Sequence, residues 1–165
     1  MKCMSKIIVC ILFFIFGSVM LSAQVKLLPI FSNNMVLQQR VKAPIWGETS
    51  PNKTVEVITS WNKKKYTARA DEKGNWMVKV ETPSAGGPYT ITISDGTPVK
   101  LSNVLIGEVW ICSGQSNMEM QVEGWGKINN YQQEIADAHK YPNIRLMQVK
   151  KAISTLPLTD FEATN

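Results

Sequence analysis

The sequence predicts a β-sandwich followed by the opening of an α/β domain, and three observations carry that expectation. Between Gln24 and Asn103, short runs alternate apolar and polar residues and are separated by turn residues. After Asn103 the pattern becomes an unalternated apolar run, a helical stripe and a second short strand pattern. The apolar run, Val109 to Cys112, ends abruptly on Ser113-Gly114-Gln115-Ser116. In open α/β sheets that kind of strand end is where ligands bind.

The first 23 residues stand apart. Lys2 and Lys6 form a basic start, Ile7 to Phe16 an apolar stretch, and Leu21-Ser22-Ala23 a small-residue cleavage site. This is the arrangement of a secretory signal peptide. Ile7 to Leu21 is short for a membrane span, which needs about 20 residues. The expectation is an exported protein, periplasmic or extracellular, with no stable membrane anchor after cleavage. Cleavage removes Cys3 and Cys10 and leaves Cys112, so no internal disulfide is expected. In an apolar strand Cys112 reads as a small buried packing residue. Loss of Lys2 and Lys6 leaves sixteen basic against thirteen acidic residues, a net charge of +3. The densest basic run, Lys63-Lys64-Lys65, sits at a hairpin turn without an aromatic-basic stripe, so no nucleic acid is implied.

Residues 24–103 read as the β domain. Val55, Val57, Thr59 and Trp61 alternate with Glu56, Ile58 and Ser60, a period of two. Tyr66, Ala68 and Ala70 repeat it against Lys65, Thr67 and Arg69, as do Trp76, Val78 and Val80, and then Tyr89, Ile91 and Ile93. Turns fall at Asn62-Lys63, at Asp71 to Asn75, in the Pro83 to Pro88 loop and at Asp95-Gly96. Strands this short and this regularly spaced suggest a small sandwich. Trp76 lies on an apolar face and reads as core, whereas Trp46 and Trp61 are open to either packing or sugar stacking.

Residues 104–165 read as the first part of an α/β domain. Val109 to Cys112 suits a strand buried on both faces. Beyond Met118 comes a loop with Gly124-Trp125-Gly126. Asn129 or Asn130 then caps a helix with Ile128, Tyr131, Ile135 and Ala138 on one stripe, ended by Pro142. Asn143 to Lys150 reads as the next strand, giving a βαβ crossover and a parallel pair.

Behind Gly114, Ser116 can be exposed as a nucleophile, with turn N–H groups facing a developing oxyanion. The turn is not the α/β-hydrolase elbow, which needs glycine where Met118 stands. EVWICSGQSNMEM resembles the first block of the SGNH hydrolases, in the Gly-Gln-Ser-Asn form of the sialate O-acetylesterase family. Met35-Val36-Leu37-Gln38-Gln39 and Ile45-Trp46-Gly47 are similar to that family's N-terminal β domain. The resemblance implies a flavodoxin-like catalytic fold, with Ser116 as nucleophile and Gln115 and Asn117 lining or bracing the pocket. It implies acyl transfer: Ser116 attacks an acetyl ester on sialic acid or a related acetylated glycan, and water releases acetate from an acetyl-serine. No metal or cofactor is implied, because no ligand-spaced cluster of cysteine, histidine and carboxylate remains.

A serine hydroxyl needs a base. In the family this comes from a late Asp-x-x-His block, which Asp137-Ala138-His139 does not match in spacing or position. His139 in a last helical turn is explained by the helix dipole. The later glycine and asparagine of the oxyanion hole have no counterpart either. The expectation is therefore an N-terminal fragment, inactive by itself. The rival expectation is a non-catalytic carbohydrate-binding module whose serine turn is a relic.

Overall fold

The computed structural model describes residues 24–124, 128–158 and 160–164. The expected leader, and Trp125 and Gly126 of the expected loop, lie outside the described residues. The chain is mostly sheet. In order come β1 (Lys26–Leu27), β2 (Val36–Gln38), β3 (Lys42–Glu48), β4 (Thr54–Thr59), β5 (Lys65–Arg69), β6 (Asn75–Glu81), β7 (Gly86–Ser94) and β8 (Pro98–Gly107). A 3-10 turn at Ser116–Glu119 follows, then helix α1 (Tyr131–Asp137), a 3-10 turn at Ala138–Lys140, β9 (Gln148–Val149) and β10 (Ala163–Thr164).

The first eight strands form a three-stranded antiparallel sheet, β1-β3-β6, and a five-stranded sheet, β2-β8-β7-β4-β5. The larger sheet is mixed, since β2 runs parallel to β8 while the other pairs are antiparallel. It curls so that its edge strand β5 lies beside β6. Side chains stitch that edge. Trp61 Nε1 donates to the Glu81 carbonyl at 2.9 Å, the Glu81 N–H donates to the Tyr66 hydroxyl at 3.1 Å, and Lys64 Nζ reaches the Glu81 carboxylate at 2.9 Å.

The alternation in the sequence becomes burial. Val55, Val57 and Thr59 of β4, Trp76, Val78 and Val80 of β6, and Ile91 and Ile93 of β7 are all buried, and both sheets feed one apolar cluster. Each such valine or isoleucine contributes about 1.5–3 kcal/mol of burial. Trp76 is core, as expected, although its indole N–H has no acceptor among the described residues. Trp46 takes the outer face of β3, half-buried edge-on against Phe31 with centroids 4.6 Å apart. Gly74 closes the β5–β6 turn at φ +89°, a region that favours glycine. A Cβ there would also lie 2.2 Å from the Thr49 carbonyl oxygen.

Several expectations are corrected. β8 runs unbroken through the boundary placed after Asn103, so the packed unit extends to Gly107. Val109 to Cys112 forms no strand: Trp110 is 82% exposed, Ile111 is 94% exposed, and Cys112 is exposed rather than a packing residue. The strand expected over Asn143 to Lys150 shrinks to β9, which pairs antiparallel with β10, so no parallel βαβ pair forms among the described residues. The reason is physical. An extended run becomes a strand only when neighbours satisfy its N–H and C=O groups, and local apolarity supplies none. The helix does form. Asn130 precedes it at φ 58°, and its carbonyl, rather than its side chain, accepts the Gln133 and Glu134 N–H groups at 2.9 and 3.2 Å.

Candidate active site

The serine turn is built from the end of β8 outward. Gly107 closes the β2–β8 ladder opposite Gln38, and the Gln39 N–H donates to its carbonyl at 2.8 Å. Immediately beyond, Gln38 Nε2 and Gln39 Nε2 donate to the two oxygens of Glu108, at 2.9 and 2.6 Å. These donors, Gln38 first and then Gln39, with nearby Arg40 adding to them, hold the Glu108 carboxyl below the usual carboxylate range. The Val109 N–H donates to Gln38 Oε1 at 2.8 Å. From there Trp110 to Gly114 runs without backbone hydrogen bonds among the described residues.

Gln115 then leads into the 3-10 turn, where the Met118 N–H donates to the Gln115 carbonyl at 2.9 Å. Gly114 packs close to Met118: a Cβ there would lie 3.0 Å from Met118 Cγ. Ser116 is the turn's first residue and is exposed, with no hydrogen bond to its hydroxyl among the described residues. The N–H groups of Ser116 and Asn117 have no intramolecular acceptor there, as the first donors of any helical turn do not. The hydroxyl is thus open to a carbonyl, and two donors stand beside it. Gln115 and Asn117 flank it, also exposed. At the far end of the turn Glu119 forms an ion pair with Lys151.

His139 is not brought to the serine. It is exposed, its Nδ1 lies 2.6 Å from the Ala136 carbonyl, and no hydrogen bond links it to Ser116. Arg145, by contrast, reaches back to the sheet. It donates to the Met35 carbonyl at 3.3 Å, to the Asn103 carbonyl, and to Asn103 Oδ1 at 3.1 Å. No local pattern in the sequence marks Arg145 or Glu108, and Gln38 and Gln39 stand out only through the family resemblance. Their partners lie 42 to 110 residues away in sequence, beyond any local pattern.

No family model matches the chain. It is 35% identical over 138 residues to a sialate O-acetylesterase of Mus musculus, a span covering 78% of this chain and 25% of that protein. The Homo sapiens sialate O-acetylesterase is 31% identical over 144 residues, covering 81% of this chain and 27% of its own length. The chain is a homologue of sialate O-acetylesterases. It spans about a quarter of the length of the curated relatives it matches. A span of 78% of this chain is longer than the 115 residues preceding Ser116, so the likeness to the mouse sialate O-acetylesterase takes in the serine turn. Among solved structures, a carbohydrate acetylesterase from Xanthomonas citri matches with a TM-score of 0.70 and 32% identity, covering 85% of this chain and 32% of that one.

Proposed function

We propose that this chain presents the nucleophile of a serine esterase that removes O-acetyl groups from sialic acid or a related acetylated sugar. One observation carries the reading: in a homologue of acetylesterases, Ser116 stands exposed at the head of a turn whose first N–H groups have no acceptor among the described residues. The Ser116 oxygen adds to the acetyl carbonyl and passes its proton to a base. The developing oxyanion is met by the Ser116 N–H, and Gln115 and Asn117 border the pocket. The sugar alcohol leaves, and water then releases acetate from the acetyl-serine.

In our reading the base is a residue other than His139, whose Nδ1 lies against the Ala136 carbonyl. The family resemblance gives that role to an Asp-x-x-His block that these 165 residues do not contain, so this chain by itself is inactive in our reading. We further read the two sheets over one core as a small sandwich, residues 108–165 as part of the catalytic α/β domain, and residues 1–23 as an export signal. Fluorophosphonate labelling tests the central claim. Joined to the catalytic block, the chain should label and release acetate, and Ser116→Ala should abolish both while leaving the unfolding midpoint unchanged. Labelling that survives in Ser116→Ala would remove the serine from the mechanism.

A second reading is supported by a groove of about 470 Å³ beside β3 and β6, lined by Trp46, Arg69, Asn75 and Met77 among others. Arg69 makes no ion pair or side-chain hydrogen bond among the described residues, and Met77 is exposed. Such a groove suits a glycan held without hydrolysis. Calorimetric binding of a sialylated glycan that is lost in Trp46→Ala, with no labelling of Ser116, would favour it.

A further inference from the structure

The geometry points to Gln38, Gln39 and Glu108 as positioning residues that fix the direction in which the Ser116 segment leaves the sheet. This role rests on Ser116 acting as the nucleophile. The backbone ladder between β2 and β8 ends at Gln38 and Gly107, with one more bond from the Gln39 N–H to Gly107. Side chains take over where the ladder stops. Each Glu108 oxygen has its own amide donor, and each glutamine also uses its oxygen. Gln38 Oε1 accepts from the Val109 N–H at 2.8 Å, and Gln39 Oε1 accepts from the Ala85 N–H at 2.9 Å.

The joint therefore ties three segments together: the end of β2, the exit from β8, and the loop between β6 and β7. A single hydrogen bond leaves a swivel, whereas two bonds to one planar carboxylate define its orientation. Exposed bonds of this kind contribute little to stability. Their consequence is directional, because Trp110 to Gly114 has no backbone partner of its own among the described residues. The ion pair of Glu119 with Lys151 fastens the other end of the segment.

The pattern of donors and acceptors gives a test that a general loss of packing does not reproduce. Gln39→Glu sets two carboxylates against each other, while adding Glu108→Gln restores every bond with the donor and acceptor exchanged. The full chain carries Cys3→Ser and Cys10→Ser, spin labels at Cys112 and at Lys100→Cys, and its distance distribution is read by pulsed electron resonance. Gln39→Glu should broaden the distribution at least about twofold, and the double substitution should return it to the starting width, as coupled neighbours do in a double-mutant cycle. An unchanged width in Gln39→Glu, or no recovery in the double variant, overturns the proposal. Should Gln39→Glu fail to fold, Gln38→Ala is read by the same distance, with broadening expected and an unchanged width overturning it. These widths do not depend on Ser116 chemistry. If they behave as stated while Ser116 never labels, the esterase reading falls and the joint stands.

Discussion

Residues 24–107 and 109–164 are comparably rich in apolar side chains, yet among the described residues only the first stretch buries them. Ile45, Val57 and Ile93 are fully enclosed, whereas Trp110 and Ile111 are 82% and 94% exposed and Leu146 is 83% exposed. The difference is one of partners. Every long strand of the first region has a neighbour that satisfies its backbone, and its inward faces meet in one cluster. Among the described residues of the second region the pairing is confined to the two-residue β9 and β10, and α1 leaves Ile135 exposed. The apolar segment that leads to Ser116 is therefore held by polar contacts at its ends rather than by packing.

That contrast can be broken by substitution. The largest effect is expected at the core: Ile45→Ala should destabilise the chain by about 2–5 kcal/mol, read from the urea midpoint. Gly74→Ala comes next, because it combines φ +89° with a clash against the Thr49 carbonyl. A loss of about 1–3 kcal/mol is expected. If it melts like the wild type, the β5–β6 turn is not the tight corner described.

A third prediction concerns acid. Asp71 accepts from the Asn75 side chain at 3.1 Å and from the backbone N–H groups of Asn75 and Lys73, each at 2.8 Å, and these bonds hold its carboxyl below the usual range. A depressed folded-state pKa stabilises above the unfolded value of about 3.9 and is lost as pH falls through the folded one. The melting-temperature gap between wild type and Asp71→Asn should thus be present near neutrality and close below about pH 4. A gap independent of pH would remove the charge from the explanation. The smallest effect sharpens the comparison: Ile111→Ala, as apolar a change as Ile45→Ala, should shift stability by less than about 0.5 kcal/mol.

Much of the first region was legible beforehand. The alternation through Val55, Val57, Trp76, Val78, Ile91 and Ile93 named the inward faces, and Asn62-Lys63, Gly74 and Gly96 marked turns. Gly74 and Gly96 have positive φ, as does Lys63. β3 and the length of β8 were missed. Pro44 and Gly47 interrupt the pattern of β3, and Asn103 sits in β8 at φ 56°. In the second region the helix was readable from its stripe, but the strand over Val109 to Cys112 was not there to be read.

The sequence by itself determined what depends on neighbours a few residues away: which faces of β4 to β7 turn inward, where the chain reverses, where α1 lies, and that Ser116 follows a glycine at the end of an apolar run. Tertiary structure alone decided what depends on distant partners. It paired β2 with β8 in parallel, joined Gln38 and Gln39 to Glu108 across about 70 residues, and left His139 on the Ala136 carbonyl rather than on the serine. Periodicity encodes the side of a strand that meets the core, but a hydrogen bond between remote residues exists only once both ends have been placed.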